Sequence, residues 1–488
     1  MVGRASSAVC SGRASRPTAQ KRVRQSRRSQ AVLKTIGNRR SATSTGRHVR
    51  RGRVAGAIAV PANAADHAAI QLLLEDTFPE FRPAAFRASL VHPFYQPRER
   101  LLEKRGEAIV GHVHVRRHTM HLGRSAAAVA VVEGLAVRGD CRGSSVGARL
   151  LEAAQETARG TGAVLAAART RLPQYFCRFG WVPCGRHHFS RAGVRALLAR
   201  MLDECHPPRR TLHIRPWRRW ELPALARIYR ENLPRTFGAV DRSEAYWNWL
   251  IECDGVDQIF VALEGPDRQE LASTCDQVVG YAAIRGGEIL ELMTLPDHPS
   301  ADRELLARTC GDAIEHDRHA LTLHAPPNHP LHRVFLEARG ERACSEADRG
   351  EVFMVRLLSA DGLVRRLHPV LVERLAAAGN DFEVAGDEAA AELGLLVGGE
   401  KLRIEVSRRE AHISAGRLGR SYLQLGSADF CRLLLGELHW DRALEEGRVR
   451  ASTLNAFHLG RVLFPYCPLW HAPWDAQPAR DSRNRLDG

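Results

Sequence analysis

The stretch EGLAVRGDCRGSSVGARLLEAAQETA, Glu133 to Ala158, narrows the possible folds more than any other part of this chain. An apolar run reads as a buried strand, a turn of Arg, Gly and Ser follows, and an amphipathic helix begins at about Ser145. Small residues between a strand and a helix aim several unpaired backbone N–H groups at one point, where the helix dipole also favours an anion. Ser144 or Ser145 capping the helix would account for the same residues without any ligand. Both readings stay open on the stretch alone.

The surrounding chain is mixed α/β. Around this motif, β-type runs (VAGAIAV, AIVGHVHVRR, AVLAAA) alternate with a helical run, DHAAIQLLLEDTF. CHPPRR, residues 205–210, is a Pro-bearing break, and TLHIRPWRRWELPALARIYREN starts a second strand-then-helix unit. That unit repeats the first in outline: VGYA at 279 answers VGHV at 110, and ELMTL at 291 answers EGLAV at 133. Glu133 lies 22 residues beyond Gly111 and Glu291 only 11 beyond Gly280, so the second copy has the shorter connection. A third segment changes character: LHPVLVERLAAAG reads as a helix, KLRIEVSRR, EAHISAG and SYLQLG as short strands, and SADFCRLLLGEL as a helix with Ser427 at its N-cap and Gly436 near its end. The expected division is a basic tail 1–53, an α/β unit 54–206, a second unit 207–358, a small α+β unit 359–475 and a polar tail 476–488.

Net charge is +16, but its location matters more than its size. Residues 1–53 hold fifteen Lys and Arg and no acid, so sixteen less fifteen leaves +1 for the rest. A Ser/Arg-rich, hydrophobe-poor tail cannot bury enough surface to fold. A nucleic-acid arm, an organelle transit sequence and a start codon assigned too early all fit it. Only four lysines stand among 71 basic residues, which fits GC-rich codon usage better than phosphate recognition. Eleven cysteines without a Cys-x-x-Cys fit reduced thiols, and no run approaches the roughly 18 apolar residues of a membrane span. The expectation is a soluble, cytoplasmic chain. Cys141 and Cys177 read as packing residues, and His324, His329 and His332 in HAPPNHPLH read as loop histidines rather than metal ligands.

Arg142-Gly143-Ser144-Ser145-Val146-Gly147 resembles the Arg/Gln-x-x-Gly-x-Gly/Ala turn of the GCN5-related N-acetyltransferase (GNAT) superfamily. QYFCRFGW, residues 174–181, is similar to that family's second motif. Tandem units followed by a small α+β unit, the latter sterol-carrier-like around LQLGSADFCRLLLGELHWDRALEEGRVRA, resemble the enhanced-intracellular-survival type of acetyltransferase. The resemblance implies a mixed α/β, α+β chain: tandem GNAT-like domains with the second degenerate, and a sterol-carrier-protein-like domain. It implies acetyl-CoA as co-substrate and no metal, and transfer of the acetyl group to a primary amine of a small molecule or peptide. Membrane and nucleic acid are not expected partners, and a homo-oligomer stays open.

The resemblance carries cofactor contacts to Leu135, Ala136 and Val137 on the strand and to Arg142, Gly143, Ser144, Ser145, Val146, Gly147 and Ala148 in the turn and helix. An ammonium must lose a proton before attack, which assigns Glu133 on that strand, acting directly or through water. The departing thiolate needs a proton, which assigns Tyr175.

Two departures stand out. Ser145 occupies the usual first Gly of the turn, and its Cβ crowds a pyrophosphate if φ is positive. The family's usual Tyr position holds Phe176, with Tyr175 one residue earlier; on a strand the two would point to opposite sides and misdirect the hydroxyl. In the second unit Pro296 and Pro299 remove two N–H groups where phosphate would need them, so no CoA is expected there. Gly488 as a base and aminoglycoside specificity are not carried over. Alternative functions are an acyl-CoA or apolar-ligand binder without turnover, and a nucleic-acid-associated protein acting through the basic tail.

Overall fold

A computed structural model describes residues 59–203, 212–265, 275–348, 350–378, 390–407 and 409–476. The basic tail and most of the polar C-terminal tail therefore lie outside the described residues. Three sheets form the architecture. The first contains β1 (Val60–Pro61), β2 (Arg100–Arg105), β3 (Ala108–Leu122), β4 (Ser125–Val137), β5 (Leu165–Thr170) and β6 (Val182–Pro183). β7 (His187–Gly193) leaves this sheet for the second, which also holds β8 (Leu212–Pro216). β9 (Phe237–Val240) returns to the first sheet, against β3.

The second sheet is completed by β10 (Gln258–Glu264), β11 (Val278–Arg285), β12 (Glu288–Thr294), β13 (Ala320–His324) and β14 (Glu341–Ser345). Its order is β14-β7-β13-β12-β11-β10-β8. β15 (Ala347–Asp348) and β16 (Glu351–Leu357) cross back, with β16 pairing β5 from Val352↔Thr170 to Leu357↔Leu165. Segments 54–206 and 207–358 thus exchange strands, and neither sheet is made from one segment alone. The third sheet, β17 (Ala391–Val397), β18 (Glu400–Val406), β19 (Ala411–Ala415), β20 (Tyr422–Leu425) and β21 (Val449–Ala451), has the order β19-β18-β17-β20-β21.

The repeat noticed in the sequence has a steric origin. A Cβ on Gly111 would meet Leu150 Cδ1 and Val146 Cγ1 at 2.6 Å, so the helix Val146–Gly160 can lie on β3 only because that residue is Gly. At Gly280 the same added atom would meet Thr294 Cγ2 at 2.7 Å and Leu305 Cδ1 at 3.2 Å, under the helix Ala301–Glu315. Both units bring a helix down on a glycine of an antiparallel strand.

One face of the first sheet packs Val113, Val115, Ala130 and Val132 against Leu150 and Leu151. Elsewhere Met120, Leu122, Val129 and Ala167 share a core with Leu395, Ile404, Phe430 and Leu459 of the third unit. That shared core makes the third unit part of the fold's interior. Its helix Ser427–Leu434 is entered at Gly426, so Ser427 is the first helical residue and caps nothing, contrary to the expectation from its side chain. The helix stops at Gly436 (φ 70°), where a Cβ would strike the Cys467 carbonyl at 2.3 Å.

Near the C-terminus, Asp475 is drawn into the second unit. Arg242, fully buried, bonds both oxygens of Glu291 at 2.9 and 2.7 Å and both of Asp475 at 3.0 and 2.8 Å. Tyr281 donates to Glu291 at 2.6 Å and Tyr246 to Asp475 at 3.1 Å, while Tyr229 and Trp247 stack on the guanidinium at 4.1 and 4.7 Å. Two buried carboxylates on one cation survive desolvation only while every partner stays in place. We expect Arg242→Met to destabilise the protein by about 3–5 kcal/mol in urea unfolding, the cost of stranding buried charge. A loss below about 1 kcal/mol would make this cluster no more than a surface ion pair.

Candidate functional site

β4 changes its neighbours along its length. It pairs with β5 only at Val129, Ala130 and Val131, after which β5 continues against β16. From Val132 to Val137 its strand partner is β3 alone, so a cleft opens on the β5 side beside the half-buried Leu135 and Val137, while Ala136 between them is fully buried. At Gly134 the β3–β4 register slips between His112 and His114, and Gly134 takes φ 61°. Such a bulge bends the strand and redirects the groups beside it.

His112 holds the bulge. Its Nδ1 lies 2.7 Å from the Gly134 carbonyl, which can only accept, and Arg100 donates to its Nε2 at 3.2 Å. The ring therefore carries its proton on Nδ1. Burial, reinforced by the Arg100 charge, pushes its pKa down to about 3, so it is neutral at physiological pH.

Below the cleft the turn reverses twice into the left-handed region, at Gly143 (φ 78°) and Ser145 (φ 65°), before the helix Val146–Gly160 starts. Ser145 is the N-cap, yet its side chain makes no capping bond. The Ser144 hydroxyl donates back to the Cys141 carbonyl. Neither serine caps the helix, so the first-turn amides of Val146, Gly147 and Ala148 point outward with the helix dipole behind them. Residues in alternating left-handed and other conformations also form concave, anion-accepting main chain. The Ser145 φ is the positive value at which its Cβ crowds the cradle. The helix itself is tied to the sheet by Arg149, whose Nε donates to the buried Glu103 at 3.1 Å.

Tyr175 belongs to a short helix, Pro173–Cys177, and not to a strand. The expectation that Tyr175 and Phe176 project to opposite sides is corrected accordingly, because adjacent helical residues diverge by about 100°. Phe176 enters the core at 5% exposure. The Tyr175 hydroxyl comes up against Gly147, where an added Cβ would lie 2.8 Å from it. Burial raises the pKa of Tyr175, which keeps the phenol protonated. Its hydroxyl therefore stands at the anion turn.

Glu133 sits on the other side of the bulge, opposite His114. Burial opposes its ionisation, but Arg116 at 3.3 Å and His114 Nδ1 at 2.9 Å outweigh that and hold its pKa well below the usual carboxylate range. Its side chain is 37% exposed, so it is reachable as well as paired. A polar row that the motifs did not reveal lies on this strand: His112, His114, Arg116 and His118 alternate along β3 and share one face with Glu133. The i, i+2 spacing of HVHVRRH was the available signal. At the far end, His92 lies 4.7 Å from Trp249 and 5.6 Å from Tyr246, and Trp249 donates to the Ala88 carbonyl at 2.9 Å. The second unit thereby walls this face.

The corresponding helix start in the second unit carries a carboxylate of its own. Asp302, in the first turn of Ala301–Glu315, accepts from the Thr294 hydroxyl at 2.7 Å. Glu291, the counterpart of Glu133, is consumed by Arg242. The three histidines of HAPPNHPLH diverge. His324 is on β13 beside His187 at 3.1 Å, and His332 is in the helix Leu331–Glu337, bonded to Ser190 at 2.8 Å; neither is the loop residue expected. Among the described residues no His/Cys/Asp/Glu group suited to a metal occurs, nine cysteines are free thiols, and no helix is long and apolar enough to cross a membrane. Cys141 is buried in the core of the first unit, but Cys177 is exposed at the end of the short helix and is not the packing residue expected.

Residues 60–184 match the family profile described as an acetyltransferase (GNAT) domain. That match covers the first unit and assigns an acetyltransferase-type (GNAT) domain to residues 60–184. The whole fold of the chain is shared with solved structures at low identity. A GCN5-related N-acetyltransferase from Kribbella flavida is 15% identical with TM-score 0.63, over 86% of this chain and 98% of that one. One from Anabaena variabilis is 14% identical with TM-score 0.64, over 85% and 98%. Eis1 from Mycobacterium abscessus is 14% identical with TM-score 0.58, over 85% and 98%. No curated protein matches the sequence.

Two outcomes follow for the two helix starts. Ser145→Gly removes a left-handed non-glycine residue and should raise stability by about 1 kcal/mol in thermal melting. Asp302 is pushed up to about 6 by burial, against the bond from Thr294. A carboxyl raised above its unfolded value of about 3.9 favours the folded state at low pH and loses that contribution as pH rises through about 6. Asp302→Asn should therefore match the wild type below about pH 4 and exceed it by up to roughly 3 kcal/mol above pH 6; parallel curves across that window would contradict the assignment.

Proposed function

We propose that the chain is an acetyl-CoA-dependent N-acetyltransferase whose acceptor is a primary amine of a small molecule or peptide. The observation that carries this reading is the uncapped, doubly left-handed turn at Gly143 and Ser145, set beneath a strand that has lost its neighbour from Val132 onward. The uncapped amides of Ser145, Val146, Gly147 and Ala148 suit a pyrophosphate, with Arg142, Gly143 and Ser144 completing the cradle. The free edge of Leu135, Ala136 and Val137 suits the amide-bearing arm of the coenzyme, and amides there can polarise a thioester carbonyl. Glu133 faces the acceptor, draws its ammonium by charge and opens the path by which its proton leaves. Tyr175, protonated and at the cradle's mouth, is the donor to the departing sulfur.

In this reading the second unit, its anion position taken by Asp302, shapes the acceptor side through Tyr246 and Trp249. The unit from 359 to 475 is sterol-carrier-like in origin and acts as a packing partner. The competing reading, a GNAT fold that binds acyl-CoA without turning over, draws on the Ser145 side chain in the cradle.

Thiol release from acetyl-CoA is the deciding measurement, with ethanolamine, putrescine, phenethylamine and lysine methyl ester as acceptors. We expect release with at least one amine, a fall of roughly 100-fold in kcat for Glu133→Gln, and weaker acetyl-CoA binding for Gly147→Ala, whose Cβ would displace the Tyr175 hydroxyl. Calorimetric binding of acetyl-CoA without release for any amine would favour the non-catalytic reading; no heat at millimolar acetyl-CoA would end both.

A further inference from the structure

Glu133 poses a chemical difficulty. A carboxylate held anionic by Arg116 at 3.3 Å and His114 at 2.9 Å binds a proton too weakly to keep one taken from an amine. A stronger base must stand behind it.

His114 is in that place. It is almost fully buried, at 1% exposure. Its Nδ1 faces Glu133 Oε1 at 2.9 Å, and its Nε2, with no hydrogen-bond partner, faces Glu99 Oε2 at 3.6 Å. A neutral imidazole has one N–H and so can satisfy one of these two carboxylates, leaving a lone pair against the other. The carboxylate–imidazole–carboxylate row is one proton short of complete. Glu99, whose side chain is 16% exposed, precedes β2 and provides the way out to water.

We propose that His114 receives the proton that the acceptor ammonium gives up at Glu133 and passes it through Glu99 to solvent, making it a relay residue that acts through Glu133. The inference rests on the acyltransfer reading above. The balance is simple. The ammonium nitrogen loses one proton before attack, and this moves by Glu133 to His114 and out by Glu99. The nitrogen then forms the bond to the acetyl carbonyl carbon and gives its second proton to Glu133, from which it leaves by the same row; the carbon–sulfur bond breaks as the sulfur takes a proton from Tyr175, which recovers its own from solvent.

The charged and titratable groups around the ring set the direction of its response. Glu133 lies 2.9 Å and Glu99 3.6 Å from the ring, and Arg116 shares Glu133 at 3.3 Å. His92, pushed down to about 4 by burial, and His112, down to about 3, stay neutral across the working range, and Tyr95 contributes a ring edge at 5.8 Å.

The test uses the full chain, acetyl-CoA and whichever amine of the four gives thiol release. We expect His114→Gln to lower kcat/KM for the amine by roughly 100-fold and to abolish the acid limb of its pH profile, with acetyl-CoA affinity unchanged. Glu99→Gln, at a partly exposed position, should lower kcat/KM for the amine by removing the exit and shift the remaining limb to lower pH by removing one negative charge facing the ring. A non-kinetic readout accompanies these: a long-range proton–nitrogen NMR spectrum, assigned to His114 by difference from His114→Gln, should show both ring nitrogens protonating while those of His112 do not. His114→Gln within three-fold of wild type and with an unchanged profile overturns the relay. If that variant does not fold, an unshifted limb in Glu99→Gln overturns it instead. Absence of thiol release by the wild type defeats the acyltransfer reading itself, and His114 protonation in the NMR spectrum then reports the proton-holding row separately.

Discussion

A β-strand whose neighbour departs leaves main-chain donors and acceptors that something else must satisfy. β4 is in that position from Val132 to Val137, and much of the first unit is arranged around it. β5 is drawn away because β16 holds it on its other edge. The Gly134 bulge is kept open by His112, and the helix below the cleft can sit close because Gly111 offers no side chain. The same few residues thus create an open strand edge and direct a helix N-terminus toward it.

The contrast between the two units shows which features are specific. Both bring a helix onto a glycine, and both place a glutamate on the neighbouring strand. In the first unit the glutamate is partly exposed and the helix start has free amides. In the second the glutamate lies fully buried on Arg242, and Asp302 supplies the anion from within the chain. A closed, self-satisfied copy has different uses: it anchors Asp475 and sets Tyr246 and Trp249 against His92 of its neighbour.

The exchange of β7 for β9, β15 and β16 makes these roles inseparable. Pulling the units apart would break sheets, not merely an interface. The third unit is bound in similarly through the core that joins Met120 and Val129 to Phe430 and Leu459.

Much of this was legible in the residues. The apolar run ending at Val137, the small residues of CRGSSVG and the amphipathic run after them determine a strand, a turn and a helix, because periodicity and small size act locally. The repeated Val-Gly pair and the Pro-bearing connection of the second unit likewise marked two related units that differ at the helix start. What tertiary structure alone decided lies in relations between distant residues. That Tyr175 sits on a helix and reaches Gly147, that Ser145 is left-handed and caps nothing, that Glu291 belongs to Arg242 and Asp475, and that His114 lies between Glu99 and Glu133 each depend on how strands register and exchange. Local pattern fixes which element a residue joins; which partner its side chain meets is set by long-range packing, and the chemistry of this site resides in those meetings.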